Sequence, residues 1–565
     1  MNDSVALEGS EFHRTEAAHS GHRRFRSLSV GEARRETGVT LLLRENPAGP
    51  SLQATLDWLN AQPASHRAVL DTRQLATDHG YAHADAARVA RWAASSGLRI
   101  VAVDPATRRV TVHGEATHLG RLFGVALERF SGPGPRGEPV EYRGYTGPIR
   151  VPAELAGTVE GVFGLDDRPI ARSHLRARED RTAGLVSYDP NELARVYSYP
   201  ALPGGGSGMN LVAGMIELGG VVRPADVAAA FARIGLPAPD ILEVNVDGAV
   251  PISDPEGADV EVALDYQVLG AMVMQAAPQS HLTIVIYNAP NNERGFIDAV
   301  ATAATDTVHA PAAVSISWGS PENNWTPQAM RAMDGAFSVG CARGVVFSAA
   351  AGDWGSTNAE QDGRQHAEHP ASSPHVWACG GTTLLASRGR PVSETVWNEL
   401  AAGQGAAGSG VSAAFGVPRY QALNGITPRS ADDGRPGRGL PDGSGNADPV
   451  TGWNVVSSGR LRSTGGTSAV APMYTALWTL IAALNGRPVG QPHPALYAAG
   501  GRCFADITEG DTGGPYAARR GWDAASGWGT PIGTRIARAL DRDVVRAGHV
   551  RTRRVPADRR ELQLA

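Results

Sequence analysis

Ser468 stands in "GGTSAVAP" at 465–472, after two glycines and a threonine and before the apolar run "AVAPMYTALWTLIAAL" at 469–484. A serine so placed is either a helix cap or a nucleophile held where helix N–H groups face a reacting carbonyl. The second reading needs partners. Glu261 and Asp265 lie four apart in "DVEVALDYQVLGAMV", so a helix puts both on one face. Like charges at that spacing repel, and a solvated acidic face is the plain alternative. Asp353 follows an apolar run in "VVFSAAAGDWGS"; Glu217 in "GMIELGG" and Trp318 and Glu322 in "SISWGSPE" hold comparable positions. Ligand and catalytic groups gather at the C-terminal ends of parallel strands, although an Asx turn also accounts for Asp353. The chain thus offers a serine and several strand-end acids, and no histidine in a strong motif.

The elements that must position these groups are legible as texture. From about 185 to 541, short apolar runs ("LVAGMIEL", "LTIVIY", "AVSISW", "GVVFSAA") alternate with helical segments such as "DVAAAFARIG" and "ERGFIDAVATAA". That alternation predicts an α/β domain with a mostly parallel sheet covered on both faces. Residues 36–165 mix helical spacing ("SLQATLDWLNAQ", "ADAARVARWAASSG") with β segments ("LRIVAVDPATRRVTVHG"), which predicts a separate α+β domain with an antiparallel sheet. Between them, 166–184 is arginine-rich with Pro and Gly, and reads as an exposed, cleavable linker. Residues 1–35 and 542–565 read as flexible tails. The chain has 565 residues, a formal net charge of −5 and 19% charged residues, so there is room for two domains and no electrostatic case for nucleic acid. Cys341, Cys379 and Cys503 make neither a disulfide framework nor a zinc pattern. Neither a classical signal peptide nor an uncharged apolar span of membrane length is expected.

Together "EVALDYQ", "VSISWGSPE", "AAAGDWGS", "ASSPHVWACGGTTL", "ETVWN" and "GGTSAVAP" resemble the sedolisin family of serine-carboxyl peptidases, with the greatest likeness to its pro-kumamolisin branch, over about residues 48–541. The resemblance implies a subtilisin-like catalytic domain behind an inhibitory propeptide that aids folding. It implies an acid-active centre with Ser468 as nucleophile and Glu261 as general base and then acid. Asp265 would hydrogen-bond and orient Glu261, and Asp353 would stabilise the oxyanion. Glu217 and Trp318 would extend the network behind them. The chemistry is coherent. A histidine with a pKa of about 6.5 is protonated in acid, whereas a carboxylate remains a base and a carboxylate pair shares one proton. Asp353 has the opposite need, because only its protonated form donates to an oxyanion. Thr467 reads as a cap, and Pro472 falls in the first helical turn, where proline is tolerated.

Asp506 and Asp523 flank a glycine-rich loop in "CFADITEGDTGGPYAARRGWDAASGWGTP". Oxygen ligands in an irregular loop suit Ca²⁺, although two turn aspartates are the plain alternative. The resemblance assigns one structural Ca²⁺ to Asp506 and Asp523 with the carbonyls of Ile507, Arg519 and Gly521. The "ARRGWD" wording departs there from the family's usual loop. His366 and His369 raise a rival zinc reading, but no zincin motif accompanies them. Glu368 matches an acidic position bordering the S1 pocket, where it would pair with a basic substrate residue or else point to solvent. The resemblance further implies protein or peptide substrates, a monomer, and an extracellular site of action. Two other readings remain in view. One is an inactive binding scaffold; the other is a lipase or esterase, for which Ser468 lacks the G-x-S-x-G elbow and a histidine.

Overall fold

The computed structural model describes residues 4–12, 21–62, 66–178 and 186–541. The N-terminal unit is an α+β domain. Strands β1 (Glu36–Leu43), β2 (Arg99–Asp104), β3 (Arg109–Glu115) and β4 (Val159–Phe163) form an antiparallel sheet in the order β2-β3-β1-β4. Alternation gives β3 buried Val110 and Val112 between more exposed neighbours, and β1 adds Val39 and Leu41 to the same core. Helix α1 (Leu52–Ala61) is capped by Ser51, whose hydroxyl accepts from Ala54 N–H. Helix α2 (His83–Ser95) buries Val89 and Trp92 against the sheet.

The expectation of a flexible tail over 1–35 fails for its described parts. Ser4–Ala6 pairs with Arg150–Pro152, and Arg23–Ser27 pairs with Glu128–Pro133. Leu7 and Phe12 are buried, and the basic patch is matched by acids, with Arg24 on Glu128 and Arg26 on Glu32, each at 2.6 Å. The C-terminal tail expected over 542–565 lies outside the described residues.

The larger unit is a layered α/β domain. Its central sheet runs β6-β7-β5-β8-β9-β10-β11. These are β5 (Asn210–Glu217), β6 (Asp240–Asn245), β7 (His281–Asn288), β8 (Ala313–Ile316), β9 (Val346–Ala350), β10 (Val376–Ser387) and β11 (Arg390–Val396). All neighbours are parallel except β10 with β11, and Gly443–Asn446 adds an eighth strand parallel to β10. Continuous apolar runs such as "TIVIY" are what a sheet covered on both faces requires. One face carries α3 (Ala258–Ala276) and α6 (Val470–Asn485); the other carries α4 (Glu293–Thr305) and α5 (Pro327–Arg343). Helix α6, with Ser468 just before it, is long and apolar enough to cross a membrane, but 89% of the stretch is buried in the core. The subtilisin-like α/β class expected from the sequence is the observed one.

The two units share packing. Leu52, Leu56 and Leu59 of α1 and Phe163 of β4 belong to the same apolar cluster as Met330, Met333 and Phe337 of α5. Arg109 donates to Asp298 at 2.5 Å, Thr40 donates to the other oxygen of Asp298 at 2.9 Å, and Arg67 donates to the Gln491 carbonyl at 2.7 Å.

Candidate active site

The segment expected to be an exposed linker instead crosses the turn that carries Ser468. Residues 179–184 of it lie outside the described residues, but none of 166–176 is fully exposed. Arg172–Ser173 pairs antiparallel with Trp318–Pro321, and Arg176–Arg178 pairs antiparallel with Arg460–Gly465. Arg168 and His174 are buried. The composition that looked solvent-seeking is satisfied by specific acceptors: Arg168 by Asp166 at 3.1 Å and Arg172 by Asn358 at 2.8 Å.

Between the two strand pairings the backbone crosses Ser468. The His174 N–H donates to the Ser317 carbonyl at 3.0 Å, and the His174 carbonyl accepts the Ser468 N–H at 3.2 Å. Gly466, at φ 94°, makes this approach possible: a Cβ there would stand 2.0 Å from the His174 oxygen and 2.5 Å from Asp353 Oδ2. Only glycine fits. Ser468 occupies a short 3-10 turn, Thr467–Ala469, leading into α6, and Pro472 lies in that helix's first turn as expected. The Ser468 hydroxyl lies 3.4 Å from the Ser317 carbonyl oxygen.

Helix α3 is buried almost throughout, so the solvated-face alternative for Glu261 and Asp265 is overturned; both are fully buried, as is Glu217. Burial pushes the Glu261 carboxyl up, opposed first by the neighbouring Ser468 hydroxyl and reinforced by the negative charge of Asp353. Burial raises Asp265 and Glu217 well above the ordinary carboxylate range, with repulsion among the three acids adding to it. Among the described residues neither Glu261 oxygen has a well-aligned hydrogen bond, and the donors that act on its carboxyl are the Ser468 and Ser173 hydroxyls. The expected partner of Asp265 is also different. Its two oxygens are held by the Ser317 hydroxyl at 2.9 and 2.7 Å, while Trp318 Nε1–H donates to Glu217 at 2.8 Å. Ser317 lies inside the quoted "SISWGSPE", but nothing in its spacing marks it as a carboxylate partner.

Asp353 sits beyond the end of β9. Its Oδ1 accepts from the Thr467 N–H at 2.8 Å and the Thr467 hydroxyl at 2.9 Å. Thr467 therefore orients Asp353, and its side chain is not the helix cap that local sequence suggests. Asp353 Oδ2 faces the Arg176 guanidinium at 3.5 Å, and that guanidinium covers the Trp354 ring at 3.9 Å. Burial raises the Asp353 carboxyl, while Arg176 and His174 pull it down. Burial likewise lowers Arg176, with Asp353 opposing.

Glu368 does not point to solvent. It is fully buried beside β-paired Trp318–Pro321, with Oε1 2.8 Å from His174 Nε2, and its other oxygen accepts from the Asn358 amide. The neighbouring histidines occupy separate environments. His366 is 2.9 Å from Asp362, whereas His369 packs on Trp325 and Phe415 and is held by burial at a pKa of about 3. Glu322 is placed elsewhere, accepting from Ala413 N–H at 2.8 Å and from the Ser412 hydroxyl.

The 506–523 loop folds back on its two aspartates. Asp506 accepts from Gly521 N–H at 3.0 Å, and Asp523 accepts from Arg519 N–H at 2.8 Å and Ser526 N–H at 2.8 Å. Among the described residues no backbone donor takes the carbonyls of Ile507, Arg519 or Gly521. Two carboxylates, each already accepting backbone N–H groups, and three carbonyls without a backbone donor supply the hard-oxygen ligand types that Ca²⁺ takes.

The family profile for the pro-kumamolisin activation domain matches residues 29–168. Kumamolisin of Bacillus sp. (strain MN-32) is 40% identical over 518 residues, spanning 89% of this chain and 91% of that protein. Sedolisin of Pseudomonas sp. (strain 101) is 28% identical over 485 residues, 82% of this chain and 80% of that one. Among solved structures, Pseudomonas sedolisin complexed with two molecules of pseudo-iodotyrostatin aligns at a TM-score of 0.55 with 27% identity, covering 63% of this chain and 98% of its own. The extent and identity of the kumamolisin match, the activation-domain match over residues 29–168 and the shared α/β core place the chain: it belongs to the sedolisin family of serine-carboxyl peptidases.

Proposed function

We propose that in this acid-active endopeptidase, made as an autoprocessed precursor, Ser468 is the nucleophile and Glu261 the general base and then acid. The observation that carries this reading is a peptide carbonyl, that of His174, resting on the Ser468 N–H, beside a buried Glu261 carboxyl on which the Ser468 hydroxyl acts. Ser468 Oγ attacks such a carbonyl while Glu261 takes its proton, and Glu261 returns that proton to the leaving amine. Asp265, fixed by Ser317, holds negative charge or a proton beside Glu261 and so sets the basicity of the pair; Glu217, fixed by Trp318, extends that coupling. Asp353, aimed by Thr467, donates to the oxyanion when protonated, alongside the Ser468 N–H. Glu368 at the base of the pocket that receives His174 favours a basic side chain there.

The family relationship supports action outside the cell. For the loop at 506–523, Asp506 and Asp523 with the carbonyls of Ile507, Arg519 and Gly521 would hold one Ca²⁺. A cation there would offset the charge of two carboxylates on one loop and pin it, without part in peptide chemistry. The catalytic assignment is tested with casein across an acid-to-neutral pH series. Glu261→Gln should lose hydrolysis at every pH while its far-UV spectrum stays as wild type. A wild-type-like pH profile in that variant would remove Glu261 from the centre.

A further inference from the structure

The place that holds the Arg176 side chain is built by the catalytic unit and shaped for a flat cation. The guanidinium lies over the Trp354 ring, 3.9 Å from its centroid. Its Nη2 donates to the Asp353 carbonyl at 3.2 Å, and its Nε faces Asp353 Oδ2 at 3.5 Å. Gly405, at φ 107°, keeps the space open: a Cβ there would stand 3.2 Å from Arg176 Nε and 2.7 Å from the Asp353 carbonyl oxygen. The residue strand-paired to Arg176 is Gly465, which brings no side chain to compete. A guanidinium offers a planar face to an indole and N–H groups to oxygen acceptors at once, which a lysine ammonium does not. Ring, carbonyl and carboxyl all stay with the catalytic unit when the segment leaves.

The place is also fixed relative to the nucleophile. The His174 carbonyl lies on the Ser468 N–H at 3.2 Å, and Arg176 is two residues further along, where the chain has joined the strand Arg460–Gly465. A substrate crossing Ser468 in the same direction lays its second residue past the attacked carbonyl on Trp354. We propose that Trp354, with the Asp353 carbonyl and the opening at Gly405, is a guanidinium-recognising subsite that favours substrates with arginine two residues beyond the attacked carbonyl. The inference rests on the catalytic reading above, which says which carbonyl is attacked. A cation–π contact of this kind is worth roughly twofold to thirtyfold in affinity, the upper part applying where the cation is desolvated.

The test uses processed enzyme at acid pH and three quenched peptides that differ only at that place: arginine, its neutral isostere citrulline, or lysine. Products are identified by mass, so that only cleavage two residues before the varied residue is counted. In wild type kcat/KM for the arginine peptide should exceed that for citrulline at least fivefold, with lysine between them. In Trp354→Ala the arginine-to-citrulline ratio should fall below twofold, and Trp354→Phe should keep an intermediate ratio. The ratio is taken within each variant, so a general loss of activity from a change beside Asp353 cancels. Equal arginine and citrulline rates in wild type overturn the proposal, as does an unchanged ratio in Trp354→Ala or a cut that shifts to keep arginine out of that place. Should Trp354→Ala misfold, the wild-type series and Trp354→Phe decide. Cleavage that needs Ser468 but shows no arginine preference sinks the subsite alone and leaves the catalytic reading standing. Cleavage that persists in Ser468→Ala overturns both.

Discussion

Arg176 reaches the proposed oxyanion acid from within the inhibitory segment, so its removal should move the pH at which the precursor matures. The Arg176 Nε to Asp353 Oδ2 distance is 3.5 Å, with the two side chains 20% and 2% exposed. At that distance opposite unit charges attract by about 1 kcal/mol in a water-like medium and about 5 kcal/mol at an effective dielectric near 20. Arg176 therefore holds the Asp353 carboxyl down relative to its absence. Burial acts in the opposite direction and wins, since the carboxyl is raised on balance; His174 joins Arg176 in lowering it, and Glu261 is the facing acid. Without Arg176 the carboxyl keeps its proton to higher pH. Only the protonated form donates to the oxyanion. In Arg176→Ala the neutral-side pH at half-maximal maturation should therefore rise by roughly one to three units. Arg176→Lys, which keeps a charge, should move it less. The assay is the disappearance of full-length precursor in a buffer series, with far-UV circular dichroism confirming the fold. A midpoint that is unchanged or lower in Arg176→Ala would refute the reasoning.

Ser468→Ala should leave the precursor folded and full length in acid and abolish casein hydrolysis, while wild type should peak below neutrality; a maximum at pH about 8–9 would point to a histidine base. Prolonged dialysis against a chelator should lower the thermal midpoint, and added Ca²⁺ should restore it. No bound calcium by elemental analysis together with an unmoved midpoint removes the 506–523 site. Asp442 is fully buried, 2.6 Å from an equally buried Arg438 and 3.2 Å from His493, and is held at a pKa of about 2. Asp442→Asn strands the guanidinium and should cost about 3–5 kcal/mol by denaturant titration; a loss under about 1 kcal/mol would contradict it. Glu217, Asp265 and Glu261 all have folded pKa values raised above their unfolded ones. Their stabilising contribution is complete below the ordinary carboxylate range and is lost as pH rises toward the raised values. Asp265→Asn should therefore flatten the decline in melting temperature from acid to neutral pH, and an equally steep decline would show that Asp265 stays ionised throughout.

The α/β architecture was readable because buried parallel strands announce themselves as continuous apolar runs such as "TIVIY". The strand-end acids Glu217 and Asp353 were readable for the same reason. Glu261 and Asp265 were placed on one helix face by spacing, but spacing could not say which way that face turned; burial of α3 on all sides came from tertiary packing. Thr467 and Ser317 were misjudged or missed because their partners, Asp353 and Asp265, are 114 and 52 residues away in sequence. The arginine-rich stretch 166–178 misled for a related reason. Charge and proline are local signs of exposure, whereas Asn358 and Glu368 supply buried partners for Arg172 and His174 that no local window contains. The N-terminal residues read as a tail because their strands are short and polar, and only pairing with Arg150–Pro152 and Glu128–Pro133 reveals them.

The apolar seam joining Leu52, Leu56 and Leu59 of α1 to Met330, Met333 and Phe337 of α5 changes what a cut in the cleft accomplishes. Before the cut, the prodomain is tethered at a millimolar-scale effective concentration and rebinds faster than it can diffuse away. Breaking one peptide bond leaves that seam and the Arg109–Asp298 pair intact. It converts a unimolecular equilibrium into a bimolecular one. Latency then persists in a concentrated solution of cleaved protein and fades on dilution, as the severed inhibitor dissociates or is itself digested. Enzyme secreted into a large volume would be switched on by dispersal, and the lag before activity would lengthen with protein concentration even after every chain had been cut.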